Sequence, residues 1–165
     1  MNQEDLEKEF MHAFDEYGDA IFRFCMVKVS NVELSEDMTQ EVFTKYWQYL
    51  REGKEITNTR SLLYTIANNM AKDWYKKKKS VSLDDRLDNG HEPQAAIASP
   101  ETTAAYQEVV NVISEMDEQD KTVLTLNLVE GLPPREIADI LGESANTISV
   151  RINRAQKRLS QLLGV

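Results

Sequence analysis

The chain has 165 residues, of which 41% are hydrophobic, and its composition excludes several classes of protein. The single cysteine, Cys25, cannot form an intramolecular disulfide, which excludes a disulfide-stapled scaffold. No segment approaches the ~18 uninterrupted apolar residues of a membrane span. The acidic N-terminus lacks the basic-then-apolar order of a secretory signal. We therefore expect a cytoplasmic protein without a membrane partner.

The net charge of −9 is unevenly distributed along the sequence. Residues 1–60 carry 13 acidic and 7 basic side chains, and residues 81–101 carry five acidic and one basic. By contrast, residues 61–80 have five basic side chains and one acidic, and residues 144–165 have a net charge of +4. Two basic segments in an otherwise acidic chain predict nucleic-acid contact at two places. The acidic remainder suits a basic protein partner.

Hydrophobic spacings of three and four residues predict three helices in the first half. The first covers residues 5–29, and the third runs from about Thr59 to Lys78. For the second, Ser35 is the predicted N-cap, followed by acidic residues that favour the positive end of the helix dipole, and the helix ends near Leu50. The loop between the second and third helices contains Gly53.

Periodicity is lost between Ser80 and Pro100, where an acidic segment with an Asp-Asn-Gly turn and two prolines is typical of a flexible linker. Helical spacing resumes at about Thr102. The predicted fold class is therefore all-α, with two small helical domains joined by a flexible acidic linker. The expected boundaries are residues 1–80, 81–101 and 102–165.

Residues 133–163 have the pattern of a helix-turn-helix. Pro133 and Pro134 favour a helix start, because their missing N–H groups fall where no intrahelical partner exists. Ala138 allows the two helices to cross closely, and Gly142 accepts the positive φ of the turn. Ile148 fills the angle between the helices, and Ser144, which lies between the two segments, is the predicted N-cap of the second helix.

The second of these helices has one apolar and one polar face. The residues predicted to face the core are Ile148, Ile152, Ala155, Leu159 and Leu162. The residues on or near the other side are Asn146, Thr147, Val150, Arg151, Arg154 and Arg158. Because such a helix enters the major groove by its N-terminal end, this second set is the predicted DNA-reading surface.

Two further polar surfaces are predicted in the first half. The third helix carries the amides of Asn68 and Asn69 and ends in aromatic residues followed by lysines, including Lys76 and Lys77. Basic groups beside rings and amides are typical of single-strand binding, although lysines at a helix end also complement its dipole. The second helix exposes Asp37, Gln40, Glu41 and Gln48, which form either a solvated face or an acidic docking face.

Four segments occur in the order SEDMTQEVFTKYWQYL (35–50), SLLYTIANNMAKDWYKKKK (61–79), VISEMDEQDKTVLTLNLVEGLPPREIADILG (112–142) and SANTISVRINRAQKRL (144–159). Together they resemble an RNA polymerase sigma factor of the extracytoplasmic-function (ECF) class. The resemblance covers nearly the whole chain. It implies a region 2-like domain, a linker that threads the RNA exit channel and a region 4-like domain.

The resemblance also implies partners for each surface. Asp37, Gln40 and Glu41 would bind the clamp helices of the largest subunit of core RNA polymerase. Asn69 and Lys72, with the preceding loop, would capture a base of the non-template strand at the promoter −10 element. The second domain would read the −35 element and rest on the flap of the second-largest subunit. An anti-sigma factor is a further possible partner.

The sequence departs from the family at a few positions. Ser149 stands where a basic residue is common in the recognition helix, Val150 stands where a serine is common, and Asn127 replaces an often basic position. Losing two cations predicts weak −35 binding.

One alternative is a conventional helix-turn-helix regulator that binds duplex DNA without polymerase, but it leaves residues 35–79 unexplained. An enzyme has little support, because His12, His91 and Cys25 lack metal-site or triad spacing. No cofactor is expected.

Overall fold

The computed structural model describes residues 2–81 and 103–165, so the predicted linker falls outside the described residues except for its first position. Over these two ranges the chain is helical, with no strand. The elements are α1 (Gln3–Val29), α2 (Val32–Arg51), α3 (Thr59–Val81), α4 (Ala104–Ser114), α5 (Glu118–Leu124), a π-helical turn (Thr125–Val129), α6 (Pro134–Leu141) and α7 (Ala145–Leu163). Among the described helices, none combines the length and apolar character that crossing a membrane requires.

In the first half, α1, α2 and α3 pack against one another around an apolar core. Phe24 of α1, Val42 and Tyr46 of α2 and Leu63 of α3 are fully buried. Burying aromatic and branched side chains from three helices supplies most of the stability of such a bundle. The core positions follow the predicted three-and-four spacing.

The start of α2 differs from the prediction. Asn31, and not Ser35, is the N-cap, because its side-chain Oδ1 accepts a hydrogen bond from the Leu34 N–H at 2.8 Å. Ser35 lies one turn inside the helix, where it is fully buried and its hydroxyl contacts the Met26 sulfur at 3.7 Å. The Ser35 prediction was therefore wrong: an asparagine four residues earlier supplies the acceptor that a helix start requires.

In the second half, α4, α5 and α6 pack around α7. Ile148, Ile152, Ala155 and Leu159 are buried as predicted. Leu162 is 63% exposed, so its predicted core position was wrong. It lies in the last turn of α7, next to Leu163, which is only partly buried against the core.

The two halves also contact each other. α1 meets α4, α5 and the π-helical turn, while α3 packs along α6. The buried apolar residues of both halves belong to one cluster. This contact places the first helix of the helix-turn-helix beside α3, a relationship that the hydrophobic periodicity did not predict.

Candidate nucleic-acid interface

The helix-turn-helix forms through the residues that the sequence indicated. Pro133 precedes α6 and Pro134 is its first residue. Gly142 ends that helix in the left-handed region, at φ 70°, which L side chains rarely adopt. Ser144 then caps α7, its hydroxyl accepting a hydrogen bond from the Thr147 N–H at 3.1 Å. These local features fix the angle at which α7 leaves the turn.

The predicted DNA-reading residues of α7 converge in space. One surface pocket is lined by Gln119, Asp120, Asn146, Thr147, Val150, Arg151, Arg154 and Arg158. All six predicted residues are among them, so the structure brings them together on one side of α7. Gln119 and Asp120, contributed by α5, form the part of this surface that the sequence did not predict.

Carboxylates accompany two of the three arginines in this pocket. Arg151 forms an ion pair with Glu143 at 2.8 Å, and Arg158 approaches Asp120 at 2.5 Å and Asp117 at 3.4 Å. The hydrogen bond and charge of Asp120 raise the pKa of Arg158. For Arg154, no such partner exists among the described residues. Internal pairing lowers the positive potential that this surface offers to phosphate groups.

A second polar surface runs along α3. Asn69, Lys72, Lys76 and Lys77 are all exposed on this helix. They lie within little more than two helical turns, so a single strand of nucleic acid can reach them together. The arrangement offers one amide and three ammonium groups to a backbone and its bases.

The structure separates Asn68 from this exposed set. Its side chain is 1% exposed, and Asn68 Oδ1 has no hydrogen-bond partner among the described residues. In this conformation only Asn69 of the predicted amide pair is accessible. The neighbouring Tyr75 is also engaged, because its hydroxyl donates to the Lys28 carbonyl oxygen. Trp74 is half-buried, with Lys78 Nζ 4.8 Å from the centre of its ring.

The predicted protein-docking residues of α2 lie on its outer face. Asp37, Gln40, Glu41 and Gln48 are all exposed. An apolar groove between α1 and α2 adjoins this face, and Gln40 belongs to both the face and the groove. The groove is lined by Glu7, Phe10, Met11, Phe14, Gln40, Phe43, Thr44 and Trp47. Met11 is 50% exposed and Phe14 is 44% exposed, so this side of α1 and α2 presents both acidic and apolar side chains.

Several buried charged residues were missed by sequence reasoning. Arg23 and Lys28 of α1 pair with Glu130 and Glu118 of the second half. The only local signal was a lysine within the apolar run that surrounds Cys25. Charged side chains are satisfied equally well by water, so a single sequence does not indicate which of them are paired inside the fold. Among residues 2–81 and 103–165, no group of side chains is arranged to hold a metal ion.

Comparison with known families assigns both halves. Residues 13–81 match sigma-70 region 2, and residues 106–159 match sigma-70 region 4. The first match covers the predicted docking residues of α2 and the amides of α3. The second covers all the residues that line the pocket on α5 and α7.

The curated relatives that match the chain are RNA polymerase sigma factors. SigW, an ECF RNA polymerase sigma factor of Bacillus subtilis, is 27% identical in an alignment that covers 93% of this chain and 88% of SigW. The sigma factor YlaC of the same species is 24% identical over 152 residues, covering 90% of this chain and 88% of YlaC. BldN, an ECF sigma factor of Streptomyces coelicolor, is 23% identical in an alignment that covers 93% of this chain but only 60% of BldN.

Solved structures agree on the fold. The sigma factor RpoE from Bartonella quintana, solved with the anti-sigma factor NepR, superposes with a TM-score of 0.75 at 21% identity, covering 96% of this chain and 98% of RpoE. CnrH, solved with the cytosolic domain of CnrY, gives 0.70 at 21% identity over 96% of this chain and 89% of CnrH.

Two region matches in the expected order, on an all-helical fold with a helix-turn-helix, define an RNA polymerase sigma factor. The chain belongs to the sigma-70 family and, with its ECF relatives, to the extracytoplasmic-function class.

Proposed function

We propose that this sigma factor binds core RNA polymerase through α2, captures the −10 element through α3 and reads the −35 element through α7. It acts by binding alone and supplies no catalytic group. The observation that carries this proposal is the convergence of all six predicted α7 residues in one pocket, on the half that matches region 4.

The polymerase contact rests on the outer face of α2. Asp37, Gln40 and Glu41 present carbonyl and carboxylate groups that complement a basic coiled coil. Phe14 and Trp47, in the adjoining groove, add apolar surface that is only partly buried in the free chain. Burial of such aromatic groups dominates the affinity of most protein interfaces, while surrounding charges set orientation and rate. We therefore extend the proposed docking surface from α2 into the α1–α2 groove.

The −10 contact rests on the exposed face of α3. Capturing an unstacked base costs a few kcal/mol, which hydrogen bonds from an amide such as Asn69 and lysine–phosphate contacts offset. Lys72, Lys76 and Lys77 supply those cations. Asn68 stays a predicted contact, but it requires a conformation in which its buried side chain becomes accessible.

The −35 contact rests on the pocket between α5 and α7. The N-terminal turns of α7 hold Asn146 and Thr147, which face the base edges when the helix lies in the major groove. Arg151, Arg154 and Arg158 follow at intervals of one turn. Because two of these arginines are paired with carboxylates, we expect weaker electrostatic binding than their number suggests. The NepR complex of the structural relative RpoE supports an anti-sigma factor as an additional partner.

The test measures assembly with core polymerase. The variant Gln40→Ala with Glu41→Lys reverses one charge and removes one amide from the α2 face, and it should reduce recovery of the protein with core polymerase in a pull-down. Glu33→Lys, an exposed substitution in the first turn of the same helix, is the matched control. Unchanged recovery of the double variant would show that α2 is not the docking face. Binding to promoter DNA without polymerase would indicate a conventional regulator instead.

A further inference from the structure

One row of side chains runs along the proposed DNA-facing side of α7 at intervals of four residues. It consists of Asn146, Val150, Arg154 and Arg158, all of which line the pocket on α5 and α7. Residues four apart on a helix lie about one turn apart on the same side. Val150 is therefore flanked along the row by an amide on one side and by a guanidinium group on the other.

Val150 is the apolar member of this row, and it is exposed. The neighbouring apolar residues of α7, Ile148 and Ile152, are buried in the core, whereas Val150 is 42% exposed. The seven other residues that line the pocket are polar or charged. A single exposed valine on a protein surface requires no explanation by itself. Its position in the middle of a polar surface proposed to meet DNA is what calls for one.

The groups beside Val150 are the ones most available to DNA. Asn146 and Arg154 are both exposed, and for Arg154 no carboxylate partner exists among the described residues. Two other arginines of the pocket are engaged, Arg151 with Glu143 and Arg158 with Asp120. A nucleic acid that contacts both Asn146 and Arg154 must also pass over Val150, because Val150 lies between them.

The level of Val150 along α7 places it over bases. The helix begins at Ala145, so Asn146 is its second residue and Val150 its sixth. At a rise of 1.5 Å per residue, Val150 lies about 6 Å beyond Asn146 along the helix axis, which corresponds to about two base-pair steps. The first turns of a recognition helix meet base edges, and later basic residues reach phosphates. Val150 belongs to those first turns.

The chemistry of the major groove limits what a valine can recognise there. Base edges present hydrogen-bond donors and acceptors and, on thymine, a C5-methyl group. A valine side chain neither donates nor accepts a hydrogen bond. Against a donor or acceptor it removes water without replacing the hydrogen bond, which costs affinity. Against the methyl group it removes two apolar surfaces from water, which favours binding.

We propose that Val150 determines specificity at one position of the −35 element, where it selects thymine by packing against the C5-methyl group. This inference rests on the proposed function of α7 and deepens it, because it names the base chemistry that one residue recognises. The same methyl group occurs on 5-methylcytosine, so both bases present the chemistry that Val150 recognises.

Replacing thymine by uracil tests the contact without altering the protein. The DNA is a promoter found by sequencing the transcripts that reconstituted holoenzyme starts on genomic DNA. Each thymine of its −35 segment is replaced in turn by deoxyuridine, which lacks only the methyl group. Burial of one methyl group corresponds to about a fourfold change in affinity. We expect one position at which uracil weakens holoenzyme binding by about this factor. If no position is sensitive, the proposal is wrong.

The variant Val150→Ala assigns the methyl contact to its residue. It removes both γ-methyl groups from an exposed position, and circular dichroism shows whether the variant is folded. We expect thymine and uracil fragments to bind this variant almost equally. A purely structural role of Val150 would weaken binding to both fragments by the same factor and leave the fourfold ratio in place, which would overturn the proposal. Leu162→Ala, an exposed apolar substitution on α7 outside the pocket, is the matched control and should keep the ratio.

A cytosine series distinguishes the two sources of the methyl group. The sensitive thymine–adenine pair is replaced by cytosine–guanine, with and without a methyl group at C5 of the cytosine. A gain on methylation that Val150→Ala loses shows that Val150 recognises the methyl group on either base. Absence of a gain, together with sensitivity to uracil, restricts the contact to thymine. A gain that persists in Val150→Ala assigns the methyl group to another residue and contradicts the proposal.

Deletion of the −35 segment separates failure of this inference from failure of the proposed function. If deletion weakens holoenzyme binding while no uracil substitution does, α7 reads the −35 element but Val150 does not recognise a methyl group. If deletion leaves binding unchanged, the proposed function of α7 fails, and the methyl contact fails with it.

Discussion

Arg158 of α7 and Asp120 of α5 face each other at 2.5 Å within the pocket proposed to read the −35 element. The Asp120 side chain is 7% exposed, while that of Arg158 is 57% exposed. A buried carboxylate therefore holds an arginine whose other side is open to solvent. The pair ties the start of α5 to α7, and it also places a negative charge on a surface that must approach phosphates.

Removing that negative charge should strengthen DNA binding. We expect Asp120→Asn to raise the affinity of holoenzyme for promoter fragments and to steepen its salt dependence by about one phosphate contact, because Arg158 becomes available to the backbone. Binding across a salt series measures both quantities. Asp139→Asn removes an equal charge from an exposed position on α6 and should change the slope less. Equal slopes for the two variants would assign Arg158 to structural support alone.

Arg151 should carry sequence discrimination. A two-point arginine–base contact contributes ~1–3 kcal/mol of discrimination. We expect Arg151→Ala to reduce transcription from a native promoter strongly, whereas Lys157→Ala, which removes an exposed cation outside the pocket, should have little effect.

Ser149→Arg provides a complementary gain of charge. It restores a cation that the family often carries in the recognition helix, and it should raise affinity and steepen the salt dependence. Holoenzyme binding to fragments with and without the −35 segment is the measurement for both positions. If Arg151→Ala and removal of that segment are both silent, α7 does not read DNA in this protein.

Asn69 should act at strand opening. Because its amide is exposed on α3 beside Lys72, we expect Asn69→Ala to lower permanganate reactivity of the promoter bubble more than it lowers formation of the closed complex. Reversing the charges of Lys76 to Lys79 should likewise lower permanganate reactivity more than it lowers formation of the closed complex. Asn153→Ala, an exposed amide on α7, is the matched control. If bubble reactivity and closed-complex formation fall equally, α3 tethers the DNA electrostatically and does not capture a base.

Lys28 should make stability depend on pH. Burial lowers the pKa of the Lys28 amino group from an ordinary 10.5 to about 8, although the charge and hydrogen bond of Glu118 raise it. The folded chain therefore releases this proton at lower pH than the unfolded chain does. The unfolded state binds more protons between the two values, so the free energy of unfolding should rise with pH there.

The effect should be clearest between pH 8 and pH 9, where Lys28 increases the free energy of unfolding by about 1 kcal/mol. Above pH 9 the buried Cys25 thiol opposes it, since burial raises the pKa of Cys25 to about 12 and the unfolded thiol ionises first. Urea unfolding at both pH values, compared between the unaltered chain and Lys28→Met, isolates the contribution. Lys8→Met is the exposed control on the same helix. An identical pH response in Lys28→Met would assign the effect to other groups.

The helices and the helix-turn-helix were determined by the sequence itself. Periodic apolar residues specify which face of a helix is buried, and a turn glycine such as Gly142 acts through its own backbone angles. The exposed acidic face of α2 followed from the same periodicity, but only Asn69 of the predicted amide pair on α3 is exposed. A helix start was harder to locate, because both Asn31 and Ser35 can cap, and only the hydrogen bond to Leu34 distinguishes them.

The pairing of charges was decided only by the tertiary structure. Arg23 and Glu130 are 107 positions apart, and Arg60 and Glu136 are 76 apart, so no local pattern relates them. A charged side chain in sequence is compatible with water, with an ion pair or with DNA, because each satisfies the same donors and acceptors. The packing of the helices decides which of these partners is met by Glu130, Asp120 and Asn68. Packing alone removes the water and brings a distant partner within reach.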